Sequence, residues 1–272
     1  MVWLRPSAYM RKRIECKIKF LCHSEIIEIF SSQNFTFLKC YCVHQTHIQR
    51  KRMFTHHYQP IKAIRKENNK LHIEALFRCN SSKLFDQALL EKIPISVQFE
   101  SIVSQLQNLN TEFIVHFNVV PHITIKQLDD IHSVCLRKGL KPNCVVIEVL
   151  ESGIVDINTL SHARNLGFKL ALDDFGKGSS IENIRLEFFF DFIKFDKSFL
   201  QSGVHCALIS SLIHDLQHFF PLTKFILEGV ENIGHFNFSK TLPLDHIQGF
   251  YLSKPLTFEQ LYMYNCKEEI AC

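Results

Sequence analysis

The sequence predicts an α/β fold, a modified TIM-type (β/α)8 barrel, and three observations lead there. Seven short apolar or β-branched runs each stop abruptly at a polar side chain. Between them lie stretches such as Ile125 to Leu140 and Cys206 to Phe219, whose apolar residues recur at three and four positions, the period of helices packed on a sheet. No glycine occurs before Gly139, so the Gly-rich phosphate turn that follows the first strand of an open doubly wound sheet is absent. Strand followed by helix, repeated, builds a parallel sheet, and seven or eight such units close into a barrel.

Taken in order, the runs are Leu71-His72-Ile73 ending at Glu74, Phe113 to Phe117 ending at Asn118, and Cys144 to Ile147 ending at Glu148. Phe168 to Leu172 then ends at Asp173-Asp174, and Asp191-Phe192-Ile193 ends at Lys194. Lys224 to Leu227 ends at Glu228, and Leu244 to Ile247 ends at Gln248. The polar terminators are 20 to 44 positions apart, bracketing the roughly 30 residues of a strand-helix-strand unit.

Composition narrows the class of protein. With 272 residues, 46% of them hydrophobic and 21% charged, the chain is long and apolar enough to bury a core of its own. Nine Gly and 8 Pro exclude collagen-like and flexible-linker sequences. No window approaches the roughly 18 consecutive apolar residues of a membrane span; the greasiest stretch, Phe188 to Ile193, is broken by Asp191. Arg11-Lys12-Arg13 is followed by no apolar h-region, so a secretory signal is not expected and a cytoplasmic location is. The ten cysteines show no compact disulfide spacing and read as reduced thiols; Cys40, Cys42, His44 and His47 are too close together for a zinc site.

Charge divides the chain. Residues 1–52 hold 10 Lys/Arg against 3 Asp/Glu, whereas residues 53–272 hold 21 against 24. The first 52 residues read as a basic N-terminal extension without a recognised domain, and residues 53–267 as the barrel domain, with Met53 the start of the functional unit. An uneven basic tail without interleaved aromatics makes neither nucleic acid nor membrane an expected partner.

In a (β/α)8 barrel the strand C-termini form one rim, and every terminator falls there. Glu74, Glu148, Asp173, Asp174 and Glu228 then converge with Asn118, Lys194 and Gln248. A lone acid at a strand end can simply cap the next helix. Five carboxylates on one rim are a different matter, because each raises its neighbours' pKa unless cations are present. Two divalent ions plus one lysine would balance them. All-oxygen donors suit Mg²⁺ or Mn²⁺ rather than zinc, and two such ions about 3.5–4 Å apart can clamp both oxygens of an in-line displacement at a phosphodiester.

Six stretches carry a more specific likeness: Tyr58-Gln59-Pro60-Ile61, Glu74-Ala75-Leu76-Phe77-Arg78, Leu172-Asp173-Asp174-Phe175-Gly176, Ile193-Lys194-Phe195-Asp196, Glu228-Gly229-Val230-Glu231 and Gln248-Gly249-Phe250-Tyr251-Leu252-Ser253-Lys254-Pro255. In this order they resemble the EAL-domain family of bacterial cyclic di-GMP phosphodiesterases, over about Met53 to Tyr264. The resemblance implies the EAL variant of the barrel and hydrolysis of cyclic di-GMP to linear pGpG, lowering the messenger that controls biofilm and adhesion against motility.

By the same resemblance Glu74, Asn118, Glu148 and Asp173 hold one ion, and Asp173, Asp174 and Glu228 the second. Glu228, Lys194 and Glu74 belong to the catalytic group, with Lys194 holding or balancing the attacking water and Gln248 orienting Glu228. Gln59, Arg78 and Gln248 face the substrate, Arg78 as the planar partner of a phosphate. Glu151 matches the acid that steadies the loop from Phe175 to Ser180, which couples dimerisation to metal binding, so a homodimer is an expected partner state.

The chain also departs from the family. Leu150 stands where Thr is usual, Val120 where a small polar residue is usual, and Lys177 and Ser179 replace a small residue and an aromatic in the loop after Asp174. The interval from Arg78 to Phe113 is short and lacks the usual Pro-x-x-Phe-Ile helix start, so a helix is expected to be missing there. That shortening favours an alternative function, a catalytically silent EAL protein that binds a transcription regulator. The complete ligand set favours the enzyme.

Overall fold

A computed structural model describes residues 53–271, apart from 65–69, 83, 151, 185–187 and 202. The extension, the Cys40–His47 cluster and Glu151 therefore lie outside the described residues. Eight strands close in sequence order into a barrel: β1 (Phe54–Ala63), β2 (Leu71–Cys79), β3 (Phe113–Val119), β4 (Val145–Val149), β5 (Lys169–Phe175), β6 (Phe192–Phe195), β7 (Lys224–Leu227) and β8 (His246–Ile247). Helices α1 (Gln87–Lys92) and α2 (Ile95–Leu106) follow β2, and α3 (Ile125–Lys138) to α8 (Phe258–Ala271) follow the later strands. Between these come α4 (Ile157–Asn165), α5 (Ser180–Asn183), α6 (Gly203–Phe219) and α7 (Ile233–Ser239).

One strand breaks the all-parallel expectation. β2 to β8 pair in parallel, but β1 runs antiparallel to both β2 and β8. The cause is chain length: a parallel connection needs a dozen or more residues, and too few separate Ala63 from Leu71 for a crossover helix, so the chain turns back as a hairpin. Register then puts Gln59 opposite Glu74, both on the inner face.

The helix expected to be missing between Arg78 and Phe113 is present, as α1 and α2. Pro94 directly precedes α2, where a missing N–H costs nothing. Gln98 donates to the carbonyls of Leu90 (3.0 Å) and Ile93 (2.9 Å), tying α2 back to the end of α1. Phe99, Ile102, Val103 and Leu106 recur at helical spacing and are all fully buried in the main core. Elsewhere local rules hold: α3 opens with a capping box between Thr124 and Gln127 and stops at Gly139, whose φ of 66° suits a residue without a Cβ.

Strand alternation sorts the barrel interior into layers. Above is the polar rim. Two residues below it lie His72, His116 and His246 with Val146, Ala171, Phe192 and Ile226, all buried. The imidazole rings of His72 and His246 are 4.7 Å apart, and those of His72 and His116 5.7 Å. Burial first, then the neighbouring imidazoles and lysines, pushes His72 down to about 3 and His116 well below its usual range, so both stay neutral at neutral pH. Among the described residues no helix is long and apolar enough to cross a membrane.

Candidate active site

At the C-terminal rim, four strands deliver carboxylates to a single ammonium. Lys194, at the end of β6 and only 1% exposed, puts Nζ 2.8 Å from Asp173 Oδ1, 2.9 Å from Glu228 Oε1, 3.1 Å from Glu148 Oε2 and 3.3 Å from Glu74 Oε2. Glu148 and Asp173 are inward residues near the ends of their strands, Glu228 directly follows β7, and Glu74 lies at the same level within β2, which runs on to Cys79 paired with β1, so the cluster is a direct consequence of barrel closure. Burial opposes the charge on Lys194, but the four carboxylates override it and hold the ammonium well above its usual range.

The acids divide by environment. Burial would raise Glu74, yet Lys194 and hydrogen bonds from Gln248 and Asn118 bring it below the ordinary carboxylate range. Asn118 Nδ2 donates to Oε1 at 2.8 Å and Gln248 Nε2 to Oε2 at 2.6 Å. Glu148 and Glu228 go the other way: burial, opposed by Lys194 and reinforced by the neighbouring acids, raises both well above that range. One rim thus holds an acid that stays ionised and two that hold protons readily.

Gln248 was expected to orient Glu228; its amide instead reaches Glu74 and, at 3.3 Å, Gln59 Oε1. Gln59 in turn donates to the Ser253 carbonyl at 3.0 Å. The antiparallel β1 explains this, because it sets Gln59 beside Glu74 and leaves Gln248 facing that pair. Gly249 allows the placement: a Cβ there would lie 2.2 Å from the Val230 carbonyl oxygen and 2.3 Å from its nitrogen. Arg78 lies four residues beyond Glu74 on the same face of β2, half-buried, with Nη1 donating to the Phe77 carbonyl at 2.8 Å.

Asp173 and Asp174 do not share one destination. The β5–β6 register shifts between Leu172 and Phe175, and Asp174 adopts φ 46°, a conformation that Asp tolerates better than most residues. Asp173 therefore turns into the cage while Asp174 meets Lys177 at 3.5 Å. Lys177 Nζ also lies 2.5 Å from Asp196, so the residue that replaces a small side chain in this loop clamps it with two ion pairs.

His116 was missed. Its Nδ1 sits 2.7 Å from Glu148 Oε1, both residues fully buried, so one of the two carries the shared proton and fixes the carboxylate's orientation. The signal was present: His72-Ile73-Glu74, His116-Phe117-Asn118 and His246-Ile247-Gln248 repeat His two residues before the rim group on three strands.

The donors suit a hard cation. They are carboxylates plus Asn118, whose buried Oδ1 has no hydrogen-bond partner while its Nδ2 is engaged. As the side chains stand, no group of three or more His, Cys, Asp or Glu among the described residues is arranged as a metal site; the carboxylates close on Lys194 instead. An ion entering here competes with that ammonium.

Comparison with known proteins agrees with this geometry. Residues 44–255 match the family described as EAL domain. Signaling protein YkoW of Bacillus subtilis is 34% identical over 129 residues, covering 44% of this chain and 16% of that protein. Cyclic di-GMP phosphodiesterase RocR of Pseudomonas aeruginosa is 28% identical over 169 residues, 59% of this chain and 42% of RocR. The chain spans less than half of either. A solved EAL domain protein from Listeria monocytogenes superposes with a TM-score of 0.64 at 26% identity, covering 81% of this chain and 96% of that one.

Proposed function

This chain belongs to the EAL domain family, and on that premise we propose that it hydrolyses cyclic di-GMP to linear pGpG using two Mg²⁺ or Mn²⁺ ions. The observation that carries the reading is the convergence of Glu74, Glu148, Asp173 and Glu228 on Lys194 beside the unpartnered Asn118 Oδ1. RocR, a relative described as a cyclic di-GMP phosphodiesterase, supports the substrate. Bound ions supply Lewis acidity for in-line displacement at a phosphodiester. Glu74, Asn118, Glu148, Asp173, Asp174 and Glu228 would hold them.

The remaining roles belong to protein groups. Glu228 has 18% of its side chain exposed and burial raises its affinity for a proton, so in its ionised form it is the acid placed to accept one from the attacking water. Lys194 offsets the rim's negative charge and positions that water. Gln248 and Gln59 keep Glu74 aligned, and Arg78 faces the nucleotide phosphate. Glu151, the homodimer and a cytoplasmic setting belong to the same reading.

The test is a turnover assay on the purified full chain with Mg²⁺ and with Mn²⁺, following linear dinucleotide. Partners of metal ligands typically matter 10- to 100-fold, so Asp173→Asn, which alters a ligand, should lower turnover by more than about 100-fold. Turnover with zinc alone would contradict the hard-ion assignment. No turnover with either ion, while cyclic di-GMP still binds in Ca²⁺, would replace hydrolysis with the silent role of binding a regulatory protein.

A further inference from the structure

We infer that Lys177 is a built-in competitor for the second metal ion, a tethered ammonium that sets how tightly the Asp174 side of the rim takes a divalent cation. The inference rests on the two-ion reading above, in which Asp173, Asp174 and Glu228 hold that ion. Each of the three acids already faces an ammonium: Asp173 and Glu228 face Lys194 at 2.8 and 2.9 Å, and Asp174 faces Lys177 at 3.5 Å. Lys194 serves four carboxylates at the centre of the rim, whereas Lys177 pairs to one side of it, with Asp174 and Asp196.

Local structure holds the second ammonium there. Asp174 at φ 46° and Gly176 at φ 104° bend the chain, and the Lys177 N–H donates to the Asp174 carbonyl at 3.0 Å, so the two side chains meet across a single turn. Ser180, fully buried, closes that turn. Its hydroxyl donates to the Lys177 carbonyl at 2.5 Å and accepts from the Gly176 N–H at 3.0 Å. The far end of the lysine is anchored as well. The Asp196 side chain is 3% exposed; its Oδ1 accepts from the Ser198 N–H at 2.8 Å, and its Oδ2 meets Lys177 Nζ at 2.5 Å.

Two plainer explanations are weaker. An ion pair between flexible surface side chains holds little, but this one ends on an almost fully buried carboxylate, which needs a partner. Neutralising Asp196 is not the whole role either, because the same Nζ also stands against Asp174. A divalent ion approaching Asp174 meets a like charge about 3.5 Å from the carboxylate oxygen and must displace it or bind against it. With 43% of its side chain exposed, Lys177 has room to turn toward water, so it raises the threshold for the ion without blocking it. Occupancy of the second position then follows the free divalent-ion concentration.

The experiment is calorimetric titration of the full-length chain with Mn²⁺, without nucleotide, in the wild type, Lys177→Gln and Lys177→Arg. Glutamine keeps the reach and a donor for Asp196 but loses the charge, and arginine keeps the charge. The wild type should take one ion more tightly than the other. Lys177→Gln should tighten the weaker ion about tenfold, equivalent to about 1.4 kcal/mol, and leave the tighter one within about twofold, while Lys177→Arg stays with the wild type. Should Lys177→Gln fail to fold, Lys177→Ala carries the same expectation. Two ions bound at unchanged affinity in the uncharged variant would overturn the inference and leave the two-ion reading standing, as would equal tightening in Lys177→Arg. Fewer than two ions in every variant would overturn both.

Discussion

Replacing Lys194 by methionine removes an ammonium from the centre of four carboxylates while keeping much of the side chain's bulk. Breaking a buried charge pair costs about 3–5 kcal/mol. At 2–4 °C per kcal/mol for a domain of this size, the variant's Tm in EDTA should fall by roughly 6–20 °C at pH 7. Added Mn²⁺ should then reverse the order of response. In the wild type an ion must compete with the ammonium, whereas in Lys194→Met that competitor is gone. A cation at about 100 times its Kd contributes about 2.7 kcal/mol, or roughly 5–11 °C. The pH dependence has a definite sign, because acids left without a cation have raised pKa values in the folded state, so folding is penalised as pH rises above about 4.5. The gap to wild type should widen from pH 4.5 to 7. Scanning calorimetry of both proteins in EDTA and in Mn²⁺ is the measurement. An EDTA Tm within about 2 °C of wild type, or Mn²⁺ stabilising the wild type at least as much as the variant, would refute the cage as the organising element.

Three further outcomes follow from other parts of the molecule. A chain starting at Met53, one residue before β1, should fold and keep the activity of the full chain; loss of solubility or turnover would move the domain boundary upstream, toward residue 44 where the family match begins. His56, packed edge-on against Phe54 and Phe77, is pushed down to about 3 by burial, then by Arg78 and His57. Between pH 6.5 and 3 the unfolded chain therefore binds a proton that the folded chain does not, and stability falls with falling pH by about 1.4 kcal/mol per unit. His72 and His116, also held neutral, contribute to the same window, so His56→Phe should lessen the slope in urea titrations by about 1.4 kcal/mol per unit rather than abolish it, and an unchanged slope would contradict the assignment. Gly249→Ala forces a Cβ against the Val230 backbone and should cost about 1–3 kcal/mol or more by urea denaturation, with turnover falling alongside as Gln248 shifts from Glu74.

Much of the rim was legible because a strand's period of two puts its terminator and every second residue before it on one face. Glu74, Asn118, Glu148, Asp173, Lys194, Glu228 and Gln248 could each be picked out from their own strand alone. Which of them meet depends on closure and stagger, and no single run encodes that. Gln248 illustrates the gap: its partner is Glu74 because β1 runs backward and brings Gln59 alongside. The clue to that reversal was the short link after Ala63. The α1–α2 pair was obscured differently, since α1 starts from an Asp86 cap and α2 from Pro94 with a helical stripe of apolar residues, rather than from the family's usual motif.

The histidine layer was overlooked for a reason that bears on how the barrel works. A histidine inside an apolar run reads as noise when one strand is considered, and becomes a pattern only when three strands are aligned on their rim residues. Aligned in the same way, the lysines of β5 and β7 and the one just before β2 fall on the opposite mouth. The inner surface is therefore graded along its axis, with cationic groups at the strand starts, neutral imidazoles in the middle and carboxylates at the ends. Neutral histidines are the residues that permit such a gradient. A charged middle layer would either pair with the acids, displacing Lys194, or repel the lysines below, whereas imidazoles held neutral by burial do neither: His116 touches Glu148 above it, and His72 lines the lysine mouth below.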